Sequence, residues 1–204
     1  MPQPKIARRT LLAAAGLLAA RGAFAQSTDG RVQVLIATDH GDIHAALEAA
    51  KAPITCANFL RYVDSGRYGG ASFYRATHAP GAPTVGLIEG GIDDPRKLYP
   101  PIAHESTLMT GLKHRDGTLS MAREGLGTAT SDFFICSGET SYLDANPSAP
   151  GDNAGYAAFG QVIQGMDVVR AILALPTTGV ARNPDMQGQM LDPPVRVLGM
   201  RRAG

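Results

Sequence analysis

Tryptophan is absent from the 204 residues, cysteine occurs only twice, and aromatic residues make up 6%. Neither Cys56 nor Cys136 has a flanking Cys or His, so the sequence offers no metal or redox site around its thiols. Charge is scarce as well: 18% of residues are charged and the formal net charge is +1. That balance excludes charge-driven disorder and gives no support to a nucleic-acid surface. A Gly-x-Ser-x-Gly elbow is missing, which removes the support for a serine hydrolase. Gly90-Gly91 is too short to be a phosphate-binding loop.

What the chain has in quantity is glycine, 24 residues, and proline, 14 residues, the marks of many turns between short strands. Its length suits one domain with a substantial core and is thin for two.

The N-terminus reads as a targeting segment. Lys5, Arg8 and Arg9 form a positive region, residues 10–20 are apolar but too few to span a bilayer, and Ala23-Phe24-Ala25 supplies small residues for a signal peptidase. No acidic residue precedes Asp29. The expected division is a signal peptide over residues 1–25, cleaved after Ala25, and one domain over 26–204. Arg8-Arg9 followed by Thr10-Leu11-Leu12 is compatible with twin-arginine export and equally with general secretion. Cleavage removes Lys5, Arg8, Arg9 and Arg21, taking 19 basic residues to 15 against 18 acidic ones, a net charge of −3. The expected product is a mildly acidic monomer, periplasmic or secreted, with no membrane span. Cys56 and Cys136 could pair in an oxidising compartment. Both sit in apolar stretches, which favours two unpaired core thiols.

Along the mature chain, Val32, Val34 and Ile36 alternate with polar or small residues, and Ile43, Ala45 and Leu47 resume the alternation after Asp39-His40-Gly41-Asp42. This is hairpin patterning. Pro53 opens a helix carrying Cys56, Phe59, Leu60 and Val63 at helical spacing, closed near Gly66. Short strands are expected over residues 72–76, 85–89, 118–122, 133–136 and 157–163. A second helix fits 166–175, and a last strand runs from Val195. Many short strands with two helices and no βαβ rhythm fit a closed antiparallel barrel capped by helices.

Five histidines are present: His40, His44, His78, His104 and His114. His40 and His44 have metal-ligand spacing, but Gly41-Asp42 between them makes a turn rather than a helix face. No cofactor or metal is expected.

Several segments carry a more specific message. Phe73-Tyr74-Arg75 is followed by Ile88-Glu89-Gly90-Gly91, Gly117-Thr118-Leu119-Ser120-Met121-Ala122 and Ser131-Asp132-Phe133-Phe134-Ile135. Leu143-Asp144 then precedes Ala158-Phe159-Gly160-Gln161-Val162 and Gly165-Met166. In this order and spacing the chain closely resembles the cyclophilin family of peptidyl-prolyl isomerases, in its exported bacterial form. The resemblance implies an eight-stranded barrel with a helix at each end and a groove on its outer face. It implies that Arg75 is catalytic and that Phe134, Leu87 and Leu143 hold the substrate's proline ring. Ala122 and Arg123 would form the wall for residues before proline, Tyr156 occupies the position of a family histidine, and Tyr142 stands where many relatives have tryptophan. Proline-containing segments of folding exported proteins are the implied partners.

The chemistry suits these residue types. Rotation about an X-Pro amide is opposed by resonance worth roughly 18–20 kcal/mol. An arginine donor that meets the proline nitrogen only as conjugation is lost lowers that barrier without a covalent step. Alternation separates Phe133 from Phe134 and Met121 from Ala122, so Phe134 is expected in the groove and Met121 in the core. Glu89 and Asp132 stand where the family commonly has glutamine, Gly86 where it has phenylalanine, and residues 77–84 read as an extended loop. Those departures imply a slower or more selective isomerase. The alternative is a proline-segment-binding chaperone or adaptor on the same barrel.

Overall fold

The computed structural model describes residues 30–203, so the expected signal peptide lies outside the described residues. The chain opens with the hairpin of β1 (Val32–Thr38) and β2 (Gly41–Leu47), followed by α1 (Pro53–Asp64). A second hairpin joins β3 (Ser72–Ala79) to β4 (Ala82–Gly91), and a short α2 (Thr107–Thr110) precedes β5 (Thr118–Met121) and β6 (Phe133–Ser137). Then come β7 (Ala157–Gln164), α3 (Met166–Leu173) and β8 (Met190–Arg202). The strands close in the order β1-β2-β7-β5-β6-β4-β3-β8, antiparallel throughout. The expected eight-stranded barrel is present.

Three local readings need correction. Residues 77–84 are not an extended loop: β3 and β4 run on until Ala79 pairs with Ala82, leaving Pro80-Gly81 as a two-residue turn. The last strand starts at Met190, so residues 192–194 lie within β8. Two prolines there mask a strand whose middle bulges away from its partner, where no ladder hydrogen bond is required. Besides the two expected helices there is the one-turn α2, capped by the Ser106 hydroxyl accepting from Leu108 N–H.

Alternation along the strands divides the apolar residues between two clusters. The interior holds Val34, Ile36, Ile43, Leu47, Phe73, Ile88, Leu119, Met121, Phe133 and Phe159. Phe59 of α1 reaches down among Tyr68, Phe133 and Phe159, with ring centroids 5.2–5.3 Å apart. Such tilted and edge contacts add about 0.5–1.5 kcal/mol each beyond area burial. Cys56 lies in this interior and Cys136 in the outer cluster, both free and buried. Burial pushes each thiol up to about 12.

No side chain at Ala52 caps α1. Its first turn is satisfied instead by Glu105, fifty residues on, whose carboxylate accepts from Ile54 N (3.1 Å), Thr55 N (2.7 Å) and Thr55 Oγ1 (2.6 Å). A buried negative charge at a helix N-terminus meets both the unpaired donors and the dipole. Glu105→Ala leaves these donors without an acceptor. It is expected to lower the unfolding free energy by roughly 3 kcal/mol, measured by urea denaturation.

Candidate active site

Across the barrel wall, Arg75 of β3 pairs with Glu89 of β4, Glu89 with Phe134 of β6, and Phe134 with Ser120 of β5. Directly paired residues share a face of the sheet, so this row projects outward together. The register slips between Phe73 and Arg75, placing Tyr74 in a bulge. A bulge sets two residues opposite one and re-aims the side chains. Both Tyr74 and Arg75 therefore reach Glu89.

Arg75 is held from two sides. Its Nη1 donates to Glu89 Oε2 at 2.6 Å, while Nε and Nη2 donate to Gln189 Oε1 at 2.8 and 2.6 Å. A guanidinium carries five N–H donors. Three are engaged by these bonds and two are left over, and the side chain keeps 20% of its surface exposed. Arg75 is gripped by Glu89, but not sealed from the surface.

The far oxygen of Glu89 continues the network. Tyr74 Oη lies 3.1 Å from Glu89 Oε1 and 3.0 Å from Asp132 Oδ2, and Ser131 Oγ donates to Asp132 Oδ1 at 2.9 Å. Burial raises the Asp132 carboxyl above the usual carboxylate range, with hydrogen bonds from Ser131 and Tyr74 opposing it and the Glu89 charge adding to it. Burial, then the charges of Glu89 and Asp132, raise the Tyr74 phenol, so it keeps its proton. Two glycines are required here by close approach. A Cβ on Gly91 would collide with Asp132 Oδ1, and one on Gly86 would collide with the Thr77 carbonyl oxygen. Gly86 therefore leaves no room for the aromatic ring expected from the resemblance.

Beside this polar row sits the outer apolar cluster of Leu87, Phe134, Cys136 and Leu143, with Ala122 and Tyr156 against it. Phe134 retains 2% exposure and forms its floor, with Tyr156 edge-on at 5.4 Å and His114 stacked at 5.9 Å. His114 is buried, with Nδ1 2.7 Å from Asp144 Oδ1 and Nε2 2.9 Å from Ser120 Oγ. Burial lowers its pKa, keeping the ring neutral, so Nδ1–H donates to Asp144 and Ser120 O–H donates to Nε2. Ser120 has no exposed surface, so this Ser-His-Asp arrangement props up Phe134 and meets no substrate.

Two clefts flank the cluster. One, of about 320 Å³, is lined by Tyr74, Glu89, Ala122, Arg123, Asp132 and Met186. The other, of about 390 Å³, includes Arg123, Tyr142, Asp144 and Tyr156. Arg123 is the wall between them, tied to Gly155 O at 2.6 Å and to both oxygens of Asp152. Tyr142 stands 64% exposed on the rim. All the residues expected at the site thus lie in one continuous region of the outer wall. Sequence reasoning missed Gln189, Tyr74 and His114. No local pattern marks Gln189, whereas a tyrosine next to Arg75 in a strand is a readable sign of a bulge or a buried partner.

This geometry has counterparts in known proteins. The family model described as cyclophilin type peptidyl-prolyl cis-trans isomerase/CLD matches residues 33–197. The chain is 38% identical over 162 residues to "Peptidyl-prolyl cis-trans isomerase A" of Dickeya dadantii, covering 78% of each chain. It is 33% identical over 198 residues to a peptidyl-prolyl cis-trans isomerase of Acinetobacter baylyi, covering 95% of each. Among solved structures, a Cryptosporidium parvum cyclophilin type isomerase superposes with a TM-score of 0.65 at 24% identity, over 85% of this chain and 98% of that one. The same protein in the presence of the dipeptide Ala-Pro gives 0.64 at 23% identity, over 84% and 99%. A closed eight-stranded barrel, a family model matched over residues 33–197 and relatives matched over most of their length make this chain a member of the cyclophilin-type peptidyl-prolyl cis-trans isomerase family.

Proposed function

We propose that this isomerase acts on X-Pro bonds of exported proteins as they fold, with Arg75 as its catalytic donor. The observation that carries the reading is the lateral row Arg75–Glu89–Phe134. It sets a guanidinium with two uncommitted N–H groups next to the outer apolar cluster of Leu87, Phe134 and Leu143. Leu87, Phe134 and Leu143 hold the ring, while Ala122 and the anchored Arg123 wall the cleft for preceding residues. As the amide twists, the proline nitrogen regains its lone pair, and a donor from Arg75 binds it most strongly at that point. The relative from Cryptosporidium parvum, crystallised in the presence of Ala-Pro, supports a proline-containing ligand for this fold.

Glu89 tempers this activity. A carboxylate at 2.6 Å competes with the substrate for the guanidinium, and charge-assisted bonds are roughly twice as strong as neutral ones. Export is supported by the basic start, the short apolar stretch and Ala23-Phe24-Ala25.

Three outcomes are expected. In a protease-coupled assay on a proline peptide, Arg75→Ala lowers kcat/KM about 10²-fold, the usual loss for one preorganised donor; rates equal to the parent protein would remove Arg75 as the catalytic donor. Glu89→Gln raises kcat/KM roughly fivefold, as expected where about 1 kcal/mol of competing grip is relieved. N-terminal sequencing of protein recovered from outside the cytoplasm begins at Gln26, and a chain still starting at Met1 contradicts cleavage.

A further inference from the structure

The phenol of Tyr74 stands between two carboxylates with a single proton to give. Either contact is a hydrogen bond when Tyr74 donates to it. The other then sets the phenol lone pairs against a carboxylate oxygen, unless that carboxyl carries a proton of its own. Glu89 is the poorer place for such a proton, because Arg75 donates to its other oxygen at 2.6 Å. Asp132 is the better place. Facing it are Tyr74 from β3, Glu89 from β4, the Ser131 hydroxyl from its own loop, and Tyr68, whose Oη donates to Ser131 O. Arg123 and Glu124 share its cleft, with Arg123 committed to Asp152 and Gly155. No cation forms an ion pair with Asp132 among the described residues.

We propose that Asp132 is a positioning residue for Arg75, acting through Tyr74 and Glu89 by whether or not it holds a proton. This rests on Arg75 as the catalytic donor. With Asp132 neutral, its O–H donates to Tyr74, Tyr74 donates to Glu89, and part of the Glu89 charge is spent on the phenol. Arg75 is then more loosely held and free to meet substrate. When Asp132 ionises, it draws the Tyr74 proton to itself. Glu89 loses that donor, faces a second anion, and turns its whole charge onto Arg75. Burial of the Asp132 carboxyl moves this change upward in pH. The family's usual glutamines have no counterpart to this behaviour, since an amide does not titrate there.

The sign is set by the chain of bonds: activity is higher while Asp132 is neutral and falls as pH rises through its pKa. Exchange spectroscopy on a proline peptide reads isomerisation without a coupling protease. Run upward in pH across the range over which the protein stays folded, it is expected to show kcat/KM falling roughly fivefold. Asp132→Asn, neutral throughout, is expected to flatten the profile. Tyr74→Phe is expected to flatten it too, at a level severalfold below Asp132→Asn, because Glu89 then never gains the phenol donor. A flat profile for the parent protein, or a fall that Asp132→Asn leaves in place, overturns the proposal.

A second readout needs no turnover. The ¹⁵N resonance of Arg75 Nε should titrate with pH in the parent protein and stay still in Asp132→Asn. A still resonance in the parent protein refutes the proposal even in an active enzyme. A titrating resonance in a protein without turnover upholds the linkage and counts instead against Arg75 as the catalytic donor.

Discussion

In a closed sheet each strand residue must face either the enclosed core or the outer wall, and no edge strand remains to absorb exceptions. Phe133 and Phe134 obey that constraint in opposite directions. The first packs among Phe59, Tyr68 and Phe73, and the second lies in the outer apolar cluster on the other side of the same strand. A soluble barrel normally shows water a polar exterior. Here one patch of the exterior is as apolar as the interior, and it stays ordered because His114, Tyr156 and Leu143 are folded over it. This cluster is therefore a second, smaller core on the outer side of the barrel wall.

The same constraint explains why much of the fold is legible in the sequence. Val34, Ile36, Ile43 and Leu47 alternate because they line the barrel, and Cys56, Phe59, Leu60 and Val63 repeat at helical spacing because α1 covers one end. Reading fails where a long-range partner outweighs the local signal. Pro193 and Pro194 speak against a strand, yet β8 passes through them because β3 pairs with it on either side of the bulge, at Met190 and again at Val195 and Arg196. Pro80-Gly81 suggests part of a loop and is a tight turn, because the strands on either side extend to meet it. Gln189 carries no signal at all. Its role exists only once β8 has been laid beside β3.

Within the site, Glu89 and Asp132, which stand where the family commonly has glutamine, are not independent. Both contact Tyr74, and Gly91 is the backbone gap that admits the Asp132 carboxyl. A carboxylate alone next to the Arg75 guanidinium would simply hold it. The phenol and the second carboxyl turn that hold into one of adjustable strength, which is why the three are best understood as a unit. Neutral His114 does the opposite service on the apolar side, fixing Phe134 through bonds that do not change near neutral pH.

The seam of the barrel is where its last strand slides between β1 and β3, joining residues near the two ends of the described chain. The bulge in that seam also delivers Gln189, whose backbone carbonyl accepts from Ala76 N–H while its side chain seats the neighbouring guanidinium. One segment of chain thus both closes the cylinder and seats the Arg75 guanidinium, so a barrel lacking its last strand would also lack the side chain that orients this arginine.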